Sequence, residues 1–229
     1  MKSQLSTRKA NRQDIPFLAR IEYEASLPPL NHCFWEDLLE GTQTEVLPFI
    51  EAKLKADAGN WGLLEDFVIV EEQGKPVAAA AGYCPNQDNY SPLNLSNLDK
   101  MAQELNWSQE IAEGFRDGYL QFLGGNLRPL FLSPQATWII ETVAVLPEAR
   151  GKGLGKFLIK ALLEEGKRQQ HSYGGIMILN GNDAARRTYE AVGFKPYQTF
   201  YEDYFRDQFN LEFPGVTKFG VDLNKIEIS

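Results

Sequence analysis

Residues Val143-Ala144-Val145-Leu146-Pro147-Glu148-Ala149-Arg150-Gly151-Lys152-Gly153-Leu154-Gly155-Lys156 join an apolar strand to a helix through a glycine-rich, basic turn. A helix start carries amide N–H groups without intrahelical partners and a partial positive charge, so an anion placed there gains hydrogen bonds and favourable electrostatics together. Glycine at 151, 153 and 155 leaves those amides uncovered, which suits the turn to a phosphate-bearing cofactor. Between 146 and 170, six basic residues (Arg150, Lys152, Lys156, Lys160, Lys167, Arg168) face three acids (Glu148, Glu164, Glu165), in a chain whose formal net charge is -8. The reversal of sign is therefore local. The same composition also makes a tight, soluble strand-to-helix connection with no ligand.

Two common phosphate loops do not fit. A Walker loop needs Gly, four residues, then Gly-Lys-Ser/Thr, and the residue five after Gly151 is Lys156. The dinucleotide fingerprint needs a glycine three places after Gly155, where Leu158 stands. What remains is Arg150-x-x-Gly153-x-Gly155 behind Val143-x-Val145-x-Pro147. A second pattern lies downstream, Asn182-x-x-Ala185-x-x-x-Tyr189-x-x-x-Gly193-Phe194. Asn182 suits an N-cap, Ala185 and Tyr189 share a helix face at i, i+4, and Gly193 falls where a left-handed C-cap ends the helix. Taken alone, this is also an amphipathic helix with a half-buried tyrosine.

In order and spacing, the two segments resemble the coenzyme A pyrophosphate loop and the Asn…Ala…Tyr…Gly-Phe signature of GNAT-type N-acetyltransferases. The resemblance is sharp from about 138 to 194 and rests on element order elsewhere, beginning with Arg8-x-Ala10-x-x-x-Asp14. It implies an α/β (α+β) fold with a mixed, mostly antiparallel central sheet flanked by helices. It further implies acetyl-CoA as cosubstrate, no metal, and an acceptor that is an amine-bearing small molecule or a protein amine. The cofactor-binding set carried over comprises Val143, Ala144 and Val145 on the strand, Arg150, Gly151, Lys152, Gly153, Leu154, Gly155 and Lys156 in the turn, and Asn182, Ala185 and Tyr189 downstream. Tyr189 matches the family's tyrosine that protonates the departing sulfur. Glu141, interrupting the apolar run Trp138 to Val145, is the candidate base, because an unpaired carboxylate in a buried strand is costly unless it faces a wet cleft. A salt-bridged structural carboxylate is the alternative for Glu141. For the whole chain, the alternatives are a non-catalytic acyl-CoA-binding sensor and an interaction protein that uses both motifs as folding devices.

The chain, 229 residues with 43% hydrophobic, is long enough for a substantial core and reads as one domain, 1–229. Asp14 is expected to cap a first helix burying Phe17, Leu18 and Ile21, with further helical stretches at Phe34 to Leu39 and Val46 to Leu54. Gln73-Gly74 is expected to turn a hairpin between strands 67–70 and 77–83. An insertion at about 85–135, with Ile111, Phe115, Tyr119 and Phe122 at helical intervals, separates that hairpin from the cofactor-binding strand. It serves as a substrate wall or lid, or else as a packing appendage or dimer contact. The helix after the glycine turn is expected to bury Leu154, Phe157, Leu158, Ala161 and Leu162. Strands are expected at 176–179, near 195–205, and at an alternating Phe219-Val221-Leu223. The aromatic tail (Tyr197, Phe200, Tyr201, Tyr204, Phe205, Phe209) either walls a pocket or covers the sheet. Two distant cysteines, Cys33 and Cys84, and two histidines, His32 and His171, give no disulfide framework or zinc pattern. Acidity without a basic tract argues against nucleic acid, and no apolar run reaches membrane-span length. The start does not lead into a secretory apolar segment, so the expected compartment is cytoplasmic. A homodimer is compatible with all of this.

Overall fold

A computed structural model describes residues 5–88, 90–123 and 129–226. Strands β1 (Leu5–Lys9), β2 (Phe67–Glu72), β3 (Lys75–Tyr83), β4 (Trp138–Val145), β5 (Tyr173–Leu179), β6 (Lys195–Phe200) and β7 (Val216–Asp222) form a seven-stranded sheet in the order β1-β2-β3-β4-β5-β7-β6. Every pairing is antiparallel except β4 with β5. Gln73 and Gly74 turn the β2–β3 hairpin with φ of +55° and +76°, the positive values a two-residue turn matched to strand twist requires.

Helices α1 (Ile15–Ser26), α2 (Phe34–Leu39) and α3 (Val46–Lys55) cover one face of the sheet, joined by α4 (Leu98–Glu104) and α5 (Gln109–Leu123) from the insertion. Helices α6 (Leu154–Arg168) and α7 (Asp183–Glu190) cover the other. Ala78 to Ala81 of β3 are fully buried, small residues that let helices on both faces approach closely. Trp138 fixes α6 over the sheet: a Cβ added to Gly82 or Gly166 would lie 2.7 Å or 2.6 Å from its ring, and its Nε1 donates to Leu162 O at 3.0 Å. That lock sets where the first turn of α6, and with it the glycine turn, must sit.

Two irregularities in β4 open a cleft. Pairing with β5 is confined to Trp138↔Gly174 and Ile139↔Gly175, after which the two strands part. On the β3 side, Ala81 faces Glu141 while Ala79 faces Ala144, so β4 carries one extra residue in a bulge. Thr142 sits there at φ +56°, an outlying conformation for a β-branched residue. The bulge shifts side-chain alternation by one place. Ile139 packs on the α1 face before it, and Ala144 and Leu146 pack on that same face after it.

Several expectations are corrected. Asp14 precedes α1 but does not cap it through its side chain; the carboxylate is held by Arg8 at 2.7 Å and by the Asn11 N–H, and Asn11 caps a short 3-10 turn instead. Phe17 is only half-buried. Phe157 is 37% exposed, because α6 turns Leu158, Ile159, Leu162 and Leu163 inward and 157 falls on its open flank. The strand expected to 205 ends at Phe200, and Tyr204–Phe209 forms a helix, α8, that buries Phe205 against Phe122 and Phe213. Strand β7 does not alternate: lying between β5 and β6, it is covered on both faces from Val216 to Val221. The insertion holds two α-helices, in keeping with its periodicity, and Phe115, Tyr119 and Phe122 are buried as expected.

Candidate active site

The turn after β4 is built to leave its amides bare. Gly151 and Gly153 adopt φ of +82° and +78°, and a Cβ added at either would meet no protein atom within 4 Å. The space beside the helix start is thus open to a ligand, and side chains there would fill it. The first intrahelical bond runs from Phe157 N to Gly153 O, which leaves the amides of Leu154, Gly155 and Lys156 without intrahelical partners. Gly155 differs, since a Cβ there would come into van der Waals contact with Thr188 Cγ2 at 3.4 Å, where α6 meets α7.

The basic side chains do less than their number suggested. Arg150 Nη2 donates to Glu24 at 2.8 Å and its Nε to the Val145 carbonyl at 3.0 Å; Lys152 bridges to Glu72 at 2.6 Å. Both cations are about half exposed, and surface pairs of this kind contribute about 0–1 kcal/mol, so an incoming anion displaces them cheaply. Among the described residues Lys156 has no ion-pair partner. The attraction of the turn for an anion therefore rests chiefly on amides and the dipole of a fifteen-residue helix.

Upstream, Leu146 N donates to Val77 O, so Leu146 turns its backbone toward β3. By alternation Val145 and Val143 turn theirs toward the edge that β5 has left, where the Arg150 Nε meets the Val145 carbonyl. Ala144 shares the edge of Leu146 and buries its methyl. Across the gap, Asn182 caps α7, its Oδ1 accepting from the Ala185 N–H at 3.2 Å. Gly193, at φ +100°, ends the helix as anticipated, with Phe194 N donating to Tyr189 O and Gly193 N to Glu190 O. Tyr189 is buried against Phe194 and Phe219, and burial, reinforced by the Glu141 charge, raises its phenol well above the usual range. It stays protonated at neutral pH.

A cavity of about 290 Å³ runs along the parted strands, bounded by Glu141, Thr142 and Val143 of β4, Ile176 to Leu179 of β5, and Asn182, Ala185 and Tyr189. Glu141 is buried at the meeting of β4 and the insertion. Its Oε1 accepts a hydrogen bond from the Tyr90 hydroxyl at 3.0 Å, and no cation lies within ion-pair distance among the described residues. Burial pushes its carboxyl up to about 8, held from rising further by the Tyr90 hydrogen bond and the charge of Lys218. Lys218, on β7, is pulled down to about 8 by its own burial while donating to Ser133 O at 2.6 Å. Tyr83 is buried beside this group, where burial and the charge of Glu141 raise its phenol well above the usual range. Tyr90 and Lys218 were not anticipated. Tyr90 lies in the turn-rich start of the insertion and Lys218 in a strand that read as alternating core, so neither carried a local motif.

This arrangement combines a bare helix start, a parted strand edge, a protonated tyrosine and a buried carboxylate that has no counter-ion among the described residues. The model of the acetyltransferase (GNAT) family matches residues 28–194. The chain belongs to the GNAT acetyltransferase family. As such it is an acyltransferase, and the seven-stranded sheet flanked by helices is the family's fold. An N-acetyltransferase from Staphylococcus aureus Mu50 is similar over 94% of this chain and 100% of its own, at 20% identity and a TM-score of 0.59. A Salmonella typhimurium protein, yncA, solved with its cofactor acetyl-CoA, is similar over 98% and 97%, at 17% identity and 0.51. The ribosomal-protein-S18-alanine N-acetyltransferase of Escherichia coli aligns over 96% and 94%, at 14% identity and 0.52. No curated protein sequence matches the chain. Among the described residues no helix is long and apolar enough to cross a membrane.

Proposed function

We propose that this chain moves an acetyl group from acetyl-CoA to a primary amine by direct attack, with donor and acceptor bound together. Bound in the glycine turn, acetyl-CoA would supply an activated acetyl thioester. The residues present fit it: the open space over Gly151 and Gly153, the unpartnered amides of Leu154 to Lys156, and the β4 edge at Val143 and Val145 freed by β5.

A primary amine is mostly protonated at neutral pH and must lose a proton to become nucleophilic. In this reading Glu141 takes it. Its carboxylate lines the cavity, has no counter-ion among the described residues, and is pushed by burial up to about 8, close to the pH at which such a base is most effective. Tyr189 lines the same cavity and keeps its proton at that pH, the state needed to give it to a departing thiolate. One carboxylate and one phenol thus serve opposite proton transfers because burial raises both, one into the working range and one beyond it. The observation that carries the reading is the shared cavity, with Glu141 and Tyr189 both at the parting of β4 from β5.

Calorimetry with acetyl-CoA, followed by thiol release in the presence of an amine panel, tests this reading. Binding with amine-dependent release is expected. Binding with no release from any amine would favour the sensor alternative, and no binding at millimolar concentration would remove acetyl transfer altogether.

A further inference from the structure

Besides Glu141 and Tyr189, the cavity is bordered by three separate segments that form its acceptor chamber in this reading. One is the α1–α2 connection with Pro28, Leu30 and His32; another is the insertion with Pro92, Phe122 and Phe131; the third follows α8 with Leu211 and Phe213. Building on the acetyl-transfer reading, we propose that the acceptor is a small monoamine whose body is a single aromatic ring.

Shape is the first argument. At about 290 Å³, shared between the thioester end and the acceptor, the cavity lies at the lower limit of ordinary small-ligand pockets. Three separate segments border it, which suits a compact acceptor better than an extended chain.

Lining is the second. Trp35, Trp61, Phe122, Phe131, Phe205 and Phe213 all border the chamber. They are mutually arranged as offset or tilted rings, with Phe131 and Phe213 5.4 Å apart and nearly parallel, Phe205 4.7 Å from Phe213, and Trp61 5.8 Å from Tyr90. A ligand ring extends such an array with the same geometry, while a carboxylate placed against these ring faces would be desolvated without a partner.

Charge is the third. Of the carboxylates bordering the cavity, Glu22 is taken by Lys53 and by the Trp35 Nε1–H, and Asp37 by His32. Glu212 lies on the exposed rim, where water screens it. Glu141 alone is buried and free of a basic partner, so the chamber provides for one ammonium, at the position where attack would occur. A polyamine brings a second cation for which, among the described residues, no buried carboxylate free of a basic partner remains. A free amino acid brings a carboxylate for which Lys53 is already committed.

The test compares kcat/KM for 2-phenylethylamine, spermidine, phenylalanine and a peptide with a free N-terminal alanine, with acetyl-CoA binding measured in parallel by calorimetry. Expected is a preference of at least about a hundredfold for 2-phenylethylamine, since an apolar pocket gains on the order of 10- to 200-fold from a well-fitted apolar group. Phe213→Ala should raise KM for 2-phenylethylamine about tenfold and leave the affinity for acetyl-CoA unchanged. Spermidine or the peptide performing as well or better, or acetylation of none of the four while acetyl-CoA binds, would overturn the substrate class and leave the cofactor assignment standing. Absence of acetyl-CoA binding would instead strike the reading on which it rests, and the substrate class with it.

Discussion

Replacing Tyr90 with phenylalanine removes one atom from the molecule, the hydroxyl that donates to Glu141 Oε1 at 3.0 Å. The ring remains, packed against Trp61, so the substitution is close to isosteric. That hydrogen bond favours the ionised carboxylate, and bonds to charged groups contribute about 1.5–3 kcal/mol. At 1.36 kcal/mol per pKa unit, its loss should move the titration of Glu141 upward by about one to two pH units. With the carboxyl starting at about 8, roughly a tenth is ionised at pH 7 in the native protein. The variant would therefore lose about ten- to a hundredfold in kcat/KM at pH 7, and progressively less as the pH rises past 9. The assay is the pH dependence of kcat/KM for a single amine with both proteins, so that the amine's own titration cancels in the ratio. Coincident profiles would show that Glu141 does not accept the proton. A uniform loss at every pH would show that Tyr90 supports the site without tuning it.

Tyr189→Phe should leave acetyl-CoA affinity intact while lowering kcat by about 10² to 10⁴, and unchanged turnover would make Tyr189 a packing residue only. Gly153→Ala places a side chain at φ +78°, costing about 1–2 kcal/mol of stability, and also fills the open space at the helix start. Acetyl-CoA binding by calorimetry should weaken at least about tenfold, beyond what thermal unfolding accounts for; equal binding would place the diphosphate elsewhere. Glu141 also leaves a mark on stability. Because its folded pKa is raised from 4.5 to about 8, the folded state holds more protons across that window, and unfolding free energy falls as pH rises through it. Glu141→Gln should remove this slope, gaining on the native protein by up to about 1.4 kcal/mol per pH unit between roughly 5 and 8 in urea titrations. Parallel slopes would mean that the carboxyl titrates normally.

The parts of the fold that were legible in the sequence are those where one local pattern forces one local structure. Gln73-Gly74 demands a hairpin turn, Asn182 and Gly193 bracket α7, and the glycine turn announces a strand and a helix on either side. The misreadings have a common cause in tertiary context. The aromatic stretch near 195–205 read as one strand because aromatics favour strands, yet the strand ends at Phe200 and Tyr204 opens a helix that packs Phe205 and Phe209 on Phe122 and Phe131. Phe157 read as core because helical periodicity does not say how wide the buried stripe is. Counting basic residues around the turn overstated its charge, since Glu24 and Glu72, which neutralise Arg150 and Lys152, lie more than seventy residues away in sequence. Tyr90 and Lys218 were invisible for the same reason: they matter through Glu141, and that proximity exists only in the folded chain.

The bulge at Thr142 links these observations. A regular strand would put Glu141 and Val143 on one face and Val145 with them, so that a carboxylate facing the acceptor side would force the valines into the α1 core. One extra residue separates the two demands. Before the bulge, Glu141 faces the insertion and its tyrosine; after it, Ala144 and Leu146 take the core face, while Val143 and Val145 turn toward the α6 and α7 side. The positive φ of Thr142 is the conformational cost of that reversal, on the order of 1–3 kcal/mol, held in place by pairing to β3 on both sides. The insertion then completes what the bulge begins. A buried carboxylate without a counter-ion would be a liability in a bare core, and Tyr90 supplies the hydrogen bond that keeps a usable fraction of it ionised. On the proposed mechanism, the fifty-residue departure from a compact sheet is thus tied to the chemistry through the one oxygen atom that Tyr90 presents to Glu141.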